Sequence, residues 1–138
     1  MQNPKITFFK ISSNQEKLLR LIKMIQNQFD LGLKTLIACE TEQAALYLDD
    51  LLWRFSEESF LPHAVENEKS NELIVITTSF VNVNKAFVLI NLHQKPHPSF
   101  KEFSKIYELY DETHPIKEEA SKLKRNFYQA EGFATSLE

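Results

Sequence analysis

Glycine is nearly absent from this chain of 138 residues, which holds Gly32 and Gly132 and no other. Loops that cradle phosphate groups use several glycines so that the backbone can approach the anion. Neither a Walker-type loop nor a G-x-G-x-x-G run occurs here, and the common nucleotide-binding solutions lose their support. Cysteine is scarcer still. Cys39 stands alone, so an internal disulfide is excluded and a reducing compartment is expected. No apolar run approaches the roughly 20 residues of a membrane span, and no charged-then-apolar leader opens the chain. A cytoplasmic location is the expectation. A basic surplus is missing as well: Lys and Arg number 16 against 19 Asp and Glu, for a formal net charge of −3. Neutralising many phosphates needs uncompensated cations, so binding of nucleic acid through a broad basic surface is disfavoured. A local basic patch is still compatible with this charge.

What is present has the balance of an ordinary globular protein, with 43% hydrophobic and 25% charged residues. Residues 1–138 are expected to form one domain, since no linker or repeat divides them. Ile6 to Ile11 is β-branched and aromatic and reads as a strand. Ser13-x-x-Glu16 has capping-box spacing, Leu18, Ile22, Ile25 and Phe29 follow at helical intervals, and Gly32 sits where a helix stops. Thr35 to Cys39 is apolar enough for a strand covered on both faces. Thr41 can cap a second helix whose stripe is Ala45, Leu48, Leu52 and Phe55. Strand, helix, strand and helix in succession imply parallel, right-handed pairing of the first two strands.

Leu73 to Ile76 and Ala86 to Ile90 are two further runs of strand length, and Thr77 to Lys85 between them has no clear signal. Pro62 to Glu72 is polar and reads as a surface loop. Ile106 to Tyr110 fits either a fifth strand or the end of a helix begun at Ser99. A last helix is expected from about Pro115 towards Gly132, with Ile116, Ala120, Leu123, Phe127 and Ala130 as its core face. The fold class is α/β, a mostly parallel central sheet with helices on both faces.

Catalytic constellations are hard to assemble. His93-x-x-x-His97 is the one histidine pair at metal-like spacing, but it lies beside Pro96 and Pro98, off any regular helix. No nearby Cys or clustered carboxylates complete a tetrahedral set. Cys39 ends an apolar strand, where a buried small hydrophobe is the usual explanation. The adjacent carboxylates Asp49-Asp50 and Glu57-Glu58 would point about 100° apart on a helix, as solvated pairs do. No catalytic residue, cofactor-binding residue or metal ligand is assigned.

Surface apolar and basic residues carry more information. Trp53 and Leu46 project away from the core stripe of the second helix. They either pack under the following loop, where Phe60, Leu61 and Pro62 can cover them, or form a partner-binding patch, since Trp is a common interface anchor. On the last helix Lys117, Ser121, Lys124 and Tyr128 fall in one stripe opposite the expected core face, with Arg125 beside it and Lys122 further round. Such a run can be a solvated, salt-bridged face, a docking site for an acidic peptide, or a contact with a DNA backbone.

Three segments then become recognisable. Leu36-Ile37-Ala38-Cys39-Glu40, Leu48-Asp49-Asp50-Leu51-Leu52-Trp53 and Ser59-Phe60-Leu61-Pro62-His63 resemble, in order and spacing, the chi subunit family of bacterial DNA polymerase III. Val88 to Leu92, Ile106 to Asp111 and Tyr128 to Phe133 extend the similarity over nearly the whole chain. The resemblance implies a Rossmann-like three-layer sandwich without a working nucleotide site, which suits the missing glycines. It implies a bacterial, non-catalytic adaptor. One partner would be the psi subunit of the clamp loader, met around Trp53, Phe60 and Pro62. The other would be the acidic, apolar-ended C-terminal tail of single-stranded DNA-binding protein, met by Lys117, Lys122, Lys124, Arg125 and Tyr128 of the last helix. DNA contact would then be indirect. Family members carry R-x-R-Y-K on that helix where this chain reads Lys122-Leu123-Lys124-Arg125-Asn126, and lysine supplies the charge without the bidentate fork. The competing reading is a small α/β nucleotide-binding domain or enzyme. It needs an anion-binding turn after the first or second strand, where Ser12-Ser13-Asn14 and Cys39-Glu40-Thr41 lack glycine and Glu40 repels phosphate.

Overall fold

The structure is a computed structural model that describes residues 3–55 and 63–138. Among these residues seven strands form one all-parallel sheet: β1 (Lys5–Ile11), β2 (Thr35–Ala38), β3 (Ala64–Val65), β4 (Ile74–Thr77), β5 (Val88–Asn91), β6 (Lys105–Asp111) and β7 (Thr135–Leu137), in the order β3-β4-β2-β5-β6-β1-β7. Helices α1 (Asn14–Asp30) and α2 (Glu42–Phe55) cover one face, while α3 (Pro115–Ala130) and the 3-10 turn Phe100–Glu102 cover the other. The fold is thus the expected α/β three-layer sandwich. Alternate residues feed the two cores. Ile37, Ile74, Ile76, Val88 and Ile90 pack under α1 and α2, whereas Leu36, Val75, Leu89 and Ile106 pack on the α3 side with Phe8, Phe100 and Phe103.

Helix ends follow the local chemistry. Ser13 Oγ accepts the Glu16 amide (3.1 Å), and the Glu16 carboxylate reaches one residue past the cap, to the Ser12 N–H (3.3 Å). Thr41 Oγ1 accepts the Ala44 amide (3.1 Å), and Ala45, Leu48, Leu51 and Leu52 turn inward; the side chain of Phe55 lies outside the described residues. Both glycines terminate helices. Gly32 and Gly132 take positive φ (69° and 92°), with the Leu33 and Phe133 amides bonding back to the Gln28 and Tyr128 carbonyls (3.0 Å each). These are Schellman stops, which a Cβ would strain.

Three expectations are corrected. β1 and β2 are parallel but not neighbours, for β5 and β6 lie between them. β1 and β6, at seven residues each, match along their whole register, while β2 pairs with β4 and β5, and β5 joins the two groups by pairing with β6 over four residues. The stretch read as a loop from Pro62 to Glu72 contributes the edge strand β3. Of the two readings open for Ile106 to Tyr110 the structure takes the strand, preceded by a single 3-10 turn.

The third correction concerns α3, which lies with the opposite face inward. Ile116 and Leu123, expected in the core, are 66% and 60% exposed, and Phe127 is partly exposed against Phe100, with ring centroids 5.8 Å apart. Ser121, Lys124 and Tyr128 are buried instead. The cause is Glu108, a fully buried carboxylate on β6, whose Oε1 accepts from Lys124 Nζ (2.7 Å) and whose Oε2 accepts from Tyr128 Oη (2.6 Å) and Asn91 Nδ2 (2.9 Å). Asn91 is the register partner of Glu108 on β5. Ser121 Oγ accepts the Asp111 amide and lies within donating distance of the Lys117 (2.9 Å) and Leu109 (3.2 Å) carbonyls. An uncompensated buried ion costs several kcal/mol, against about 1.5–3 kcal/mol for burying one Ile or Leu side chain, so the donors win the inward face. Burial and the neighbouring Glu108 carboxylate push the Tyr128 phenol well above its usual range, keeping it a donor.

A single substitution of Lys124→Met leaves Glu108 charged without its cation and should lower the unfolding free energy by about 3–5 kcal/mol in urea titrations. The double variant Glu108→Leu/Lys124→Met should recover most of that loss. A single-variant loss below about 1 kcal/mol, the range of exposed pairs, would show that the network contributes little.

His97 supplies a pH prediction. It is buried, its Nδ1 accepts the Ser99 amide (3.0 Å), and its ring meets Phe103 edge-on (5.5 Å). Burial holds its pKa below 6.5, with Glu102 opposing and His93 assisting the shift. A depressed folded-state pKa means that the unfolded chain takes up the proton first, so stability present above pH 6.5 is lost as pH falls below it. Denaturation midpoints measured across that range should show an acid slope that His97→Asn, which keeps an acceptor but cannot charge, reduces.

Candidate protein-docking surfaces

The five basic and aromatic residues expected to share a surface on α3 are divided by it. Lys124 is 5% exposed and Tyr128 is fully buried, and both are engaged with Glu108, Lys124 also donating to the His93 carbonyl (2.8 Å). Neither is placed to meet a partner from solvent. Lys117 and Lys122 are exposed, and among the described residues neither makes an ion pair. Arg125 is half-buried; its Nε donates to Thr135 Oγ1 (3.0 Å) on β7, which fixes the guanidinium while its terminal nitrogens make no ion pair among the described residues. Sequence reasoning missed the uncovered apolar side chains of the same helix, Ile116, Leu123 and Phe127. The available signal was Glu108 inside the otherwise apolar run Ile106-Tyr107-Glu108-Leu109, which demands donors from whatever covers it.

On the opposite layer Trp53 is half exposed, as are Leu46 and Tyr47. Leu46 and Trp53 stand seven residues apart and so share one side of α2. The Trp53 ring rests against His63 (centroids 4.5 Å apart), and His63 Nε2 lies 3.0 Å from the Asp49 carboxylate. The indole is therefore held in place while half its surface stays open. Phe60 and Pro62, expected beside it, lie outside the described residues.

Groups with chemical potential elsewhere do not converge. Cys39 is buried, and burial pushes its thiol up to about 12, far from a thiolate at neutral pH. His93 and His97 flank Phe80, with centroids 5.0 and 6.2 Å from its ring. Among the described residues no group of three or more His, Cys, Asp or Glu side chains is arranged to hold a metal ion. Also among these residues, no helix is long and apolar enough to cross a membrane.

Comparison with known proteins finds relatives of one kind. The chain is 28% identical over 102 residues to the DNA polymerase III subunit chi of Pseudomonas aeruginosa, covering 74% of this chain and 71% of that protein. It is 30% identical over 92 residues to the DNA polymerase III subunit chi of Haemophilus influenzae, covering 64% of each, so the match spans just under two thirds of that relative's length. The family model described as DNA polymerase III chi subunit, HolC, matches residues 3–136, and the chain therefore belongs to the DNA polymerase III chi subunit family.

Proposed function

We propose that this chain is a non-catalytic adaptor of the bacterial replicative polymerase, joining the clamp loader, through a psi partner, to the C-terminal tail of single-stranded DNA-binding protein. The observation that carries the tail reading is the composition of the outer side of α3. Lys117, Lys122 and the guanidinium of Arg125 are free of carboxylates among the described residues, and Ile116, Leu123 and Phe127 lie uncovered on the same helix. An acidic segment with an apolar end needs cations for its carboxylates and an apolar surface for its last side chains. Lys124 and Tyr128 act in this proposal through the fold, by presenting that side of the helix. The psi reading rests on Trp53, a half-open indole that rests against His63 on the same side of α2 as Leu46.

A peptide copying the tail from the same organism should bind saturably, with affinity that falls as salt rises. Lys122→Ala/Arg125→Ala should weaken it about tenfold or more, since charge-assisted contacts contribute roughly 1.5–3 kcal/mol each. Undiminished binding by the double variant moves the site off this helix, and no binding at millimolar peptide removes the tail reading. For the second surface, Trp53→Ala should reduce co-purification of the chain with its psi partner, through a loss of about 2 kcal/mol or more in affinity. Equal recovery of the complex from wild type and variant would place the contact elsewhere.

A further inference from the structure

A crevice of about 510 Å³ opens at the carboxyl end of the sheet, apart from the outer side of α3. It lies at a point where the chain changes direction: from β2 the chain leaves towards β3 and β4, and from the adjacent β5 it leaves towards β6. Open parallel sheets bind ligands at such a point, because the loops diverge and leave a gap. The volume falls within the range of small-molecule sites. Its wall is apolar, formed mainly by Leu18, Leu48, Leu51 and Leu92.

Charge decides the ligand class. Three cations line the crevice, Lys17, Lys117 and Lys124. Lys124 is consumed by Glu108 and the His93 carbonyl, and Lys17 is paired at 2.7 Å with Asp111. Asp111 in turn is filled by Lys17 and Thr113, contacts that outweigh its burial and hold its carboxyl below the usual range. Lys117 is left unpaired among the described residues. The amino ends of α1, α2 and α3 add positive potential. Glu40 on the rim limits the anionic charge the crevice can accept, and neither glycine lines it to admit a phosphate.

We propose that this crevice binds a small organic monocarboxylate, its apolar body against the leucine wall and its carboxylate at Lys117. The site shares Lys117 with the tail reading and is otherwise separate from it, for Ala44, Leu48 and Leu92 take no part in the latter. The test is a titration of the whole chain with 3-phenylpropionate followed by amide chemical shifts, alongside the neutral 3-phenylpropionamide. Saturable shifts are expected at Cys39 to Thr41, Leu92 to Gln94 and Lys117 to Ser121. The neutral amide and Lys117→Ala should each weaken binding about tenfold, as loss of a charge-assisted contact does. Ala44 is exposed on the crevice wall, so Ala44→Phe should fold normally and fill the site, abolishing binding. Lys122→Ala/Arg125→Ala should bind the acid as wild type does. Absence of saturation, shifts confined to other regions, or equal binding of acid and amide would overturn the proposal, as would wild-type binding by Ala44→Phe.

Discussion

A carboxylate in the middle of a sheet must find donors, and most of what distinguishes this protein depends on how Glu108 finds them. Its two oxygens take one ammonium, one phenol and one amide, from two different elements. That demand sets the rotation of α3 about its own axis. The rotation in turn decides which side chains of the helix meet water, and so leaves Ile116 and Leu123 outside. A core interaction thereby shapes a surface. The same helix buries polar groups where amphipathicity would place apolar ones, and it succeeds because every one of those groups has a partner.

The scaffold belongs to a class that commonly holds nucleotides, yet the turns that would cradle phosphate are occupied by other tasks. Ser13 and Thr41 cap α1 and α2 with their hydroxyls, and both glycines stop helices at the far ends of α1 and α3. Without close backbone approach to an anion, the carboxyl edge of the sheet keeps a leucine-walled gap and few unpaired charges. The chain belongs to the chi family, and Trp53 stands half open on one layer.

Much of this was legible in the sequence, and the failures have physical reasons. β1, β2, β4 and β5, the three helices and both Schellman glycines carry local signals: β-branched runs, capping hydroxyls and periodic leucines. Strand order is not local. Nothing in residues 6–39 tells that β6, a hundred residues away, matches β1 in length and displaces β2 from its side. β3 and β7 are too short, at two and three residues, to show alternation. The face of α3 was misjudged because periodicity counts apolar residues and ignores obligations elsewhere. Lys124 and Tyr128, a turn apart, fall in a surface stripe by that count, whereas Glu108 in an apolar strand requires them inside. Of the residues expected to form the docking set, Lys117, Lys122 and Arg125 reach solvent, while Lys124 and Tyr128 serve the core.

The spacing of this network along the chain has a consequence for biosynthesis. Glu108 is made sixteen residues before Lys124 and twenty before Tyr128. At roughly 5–20 residues per second, a growing chain spends on the order of a second or more with β6 complete and its carboxylate without those two donors. Joining β6 to the sheet before α3 docks would leave Asn91 as the donor to Glu108 and would cost several kcal/mol or the uptake of a proton. The union of the two halves of the sheet on either side of β6 is thus stabilised by α3 as well as by the strands themselves.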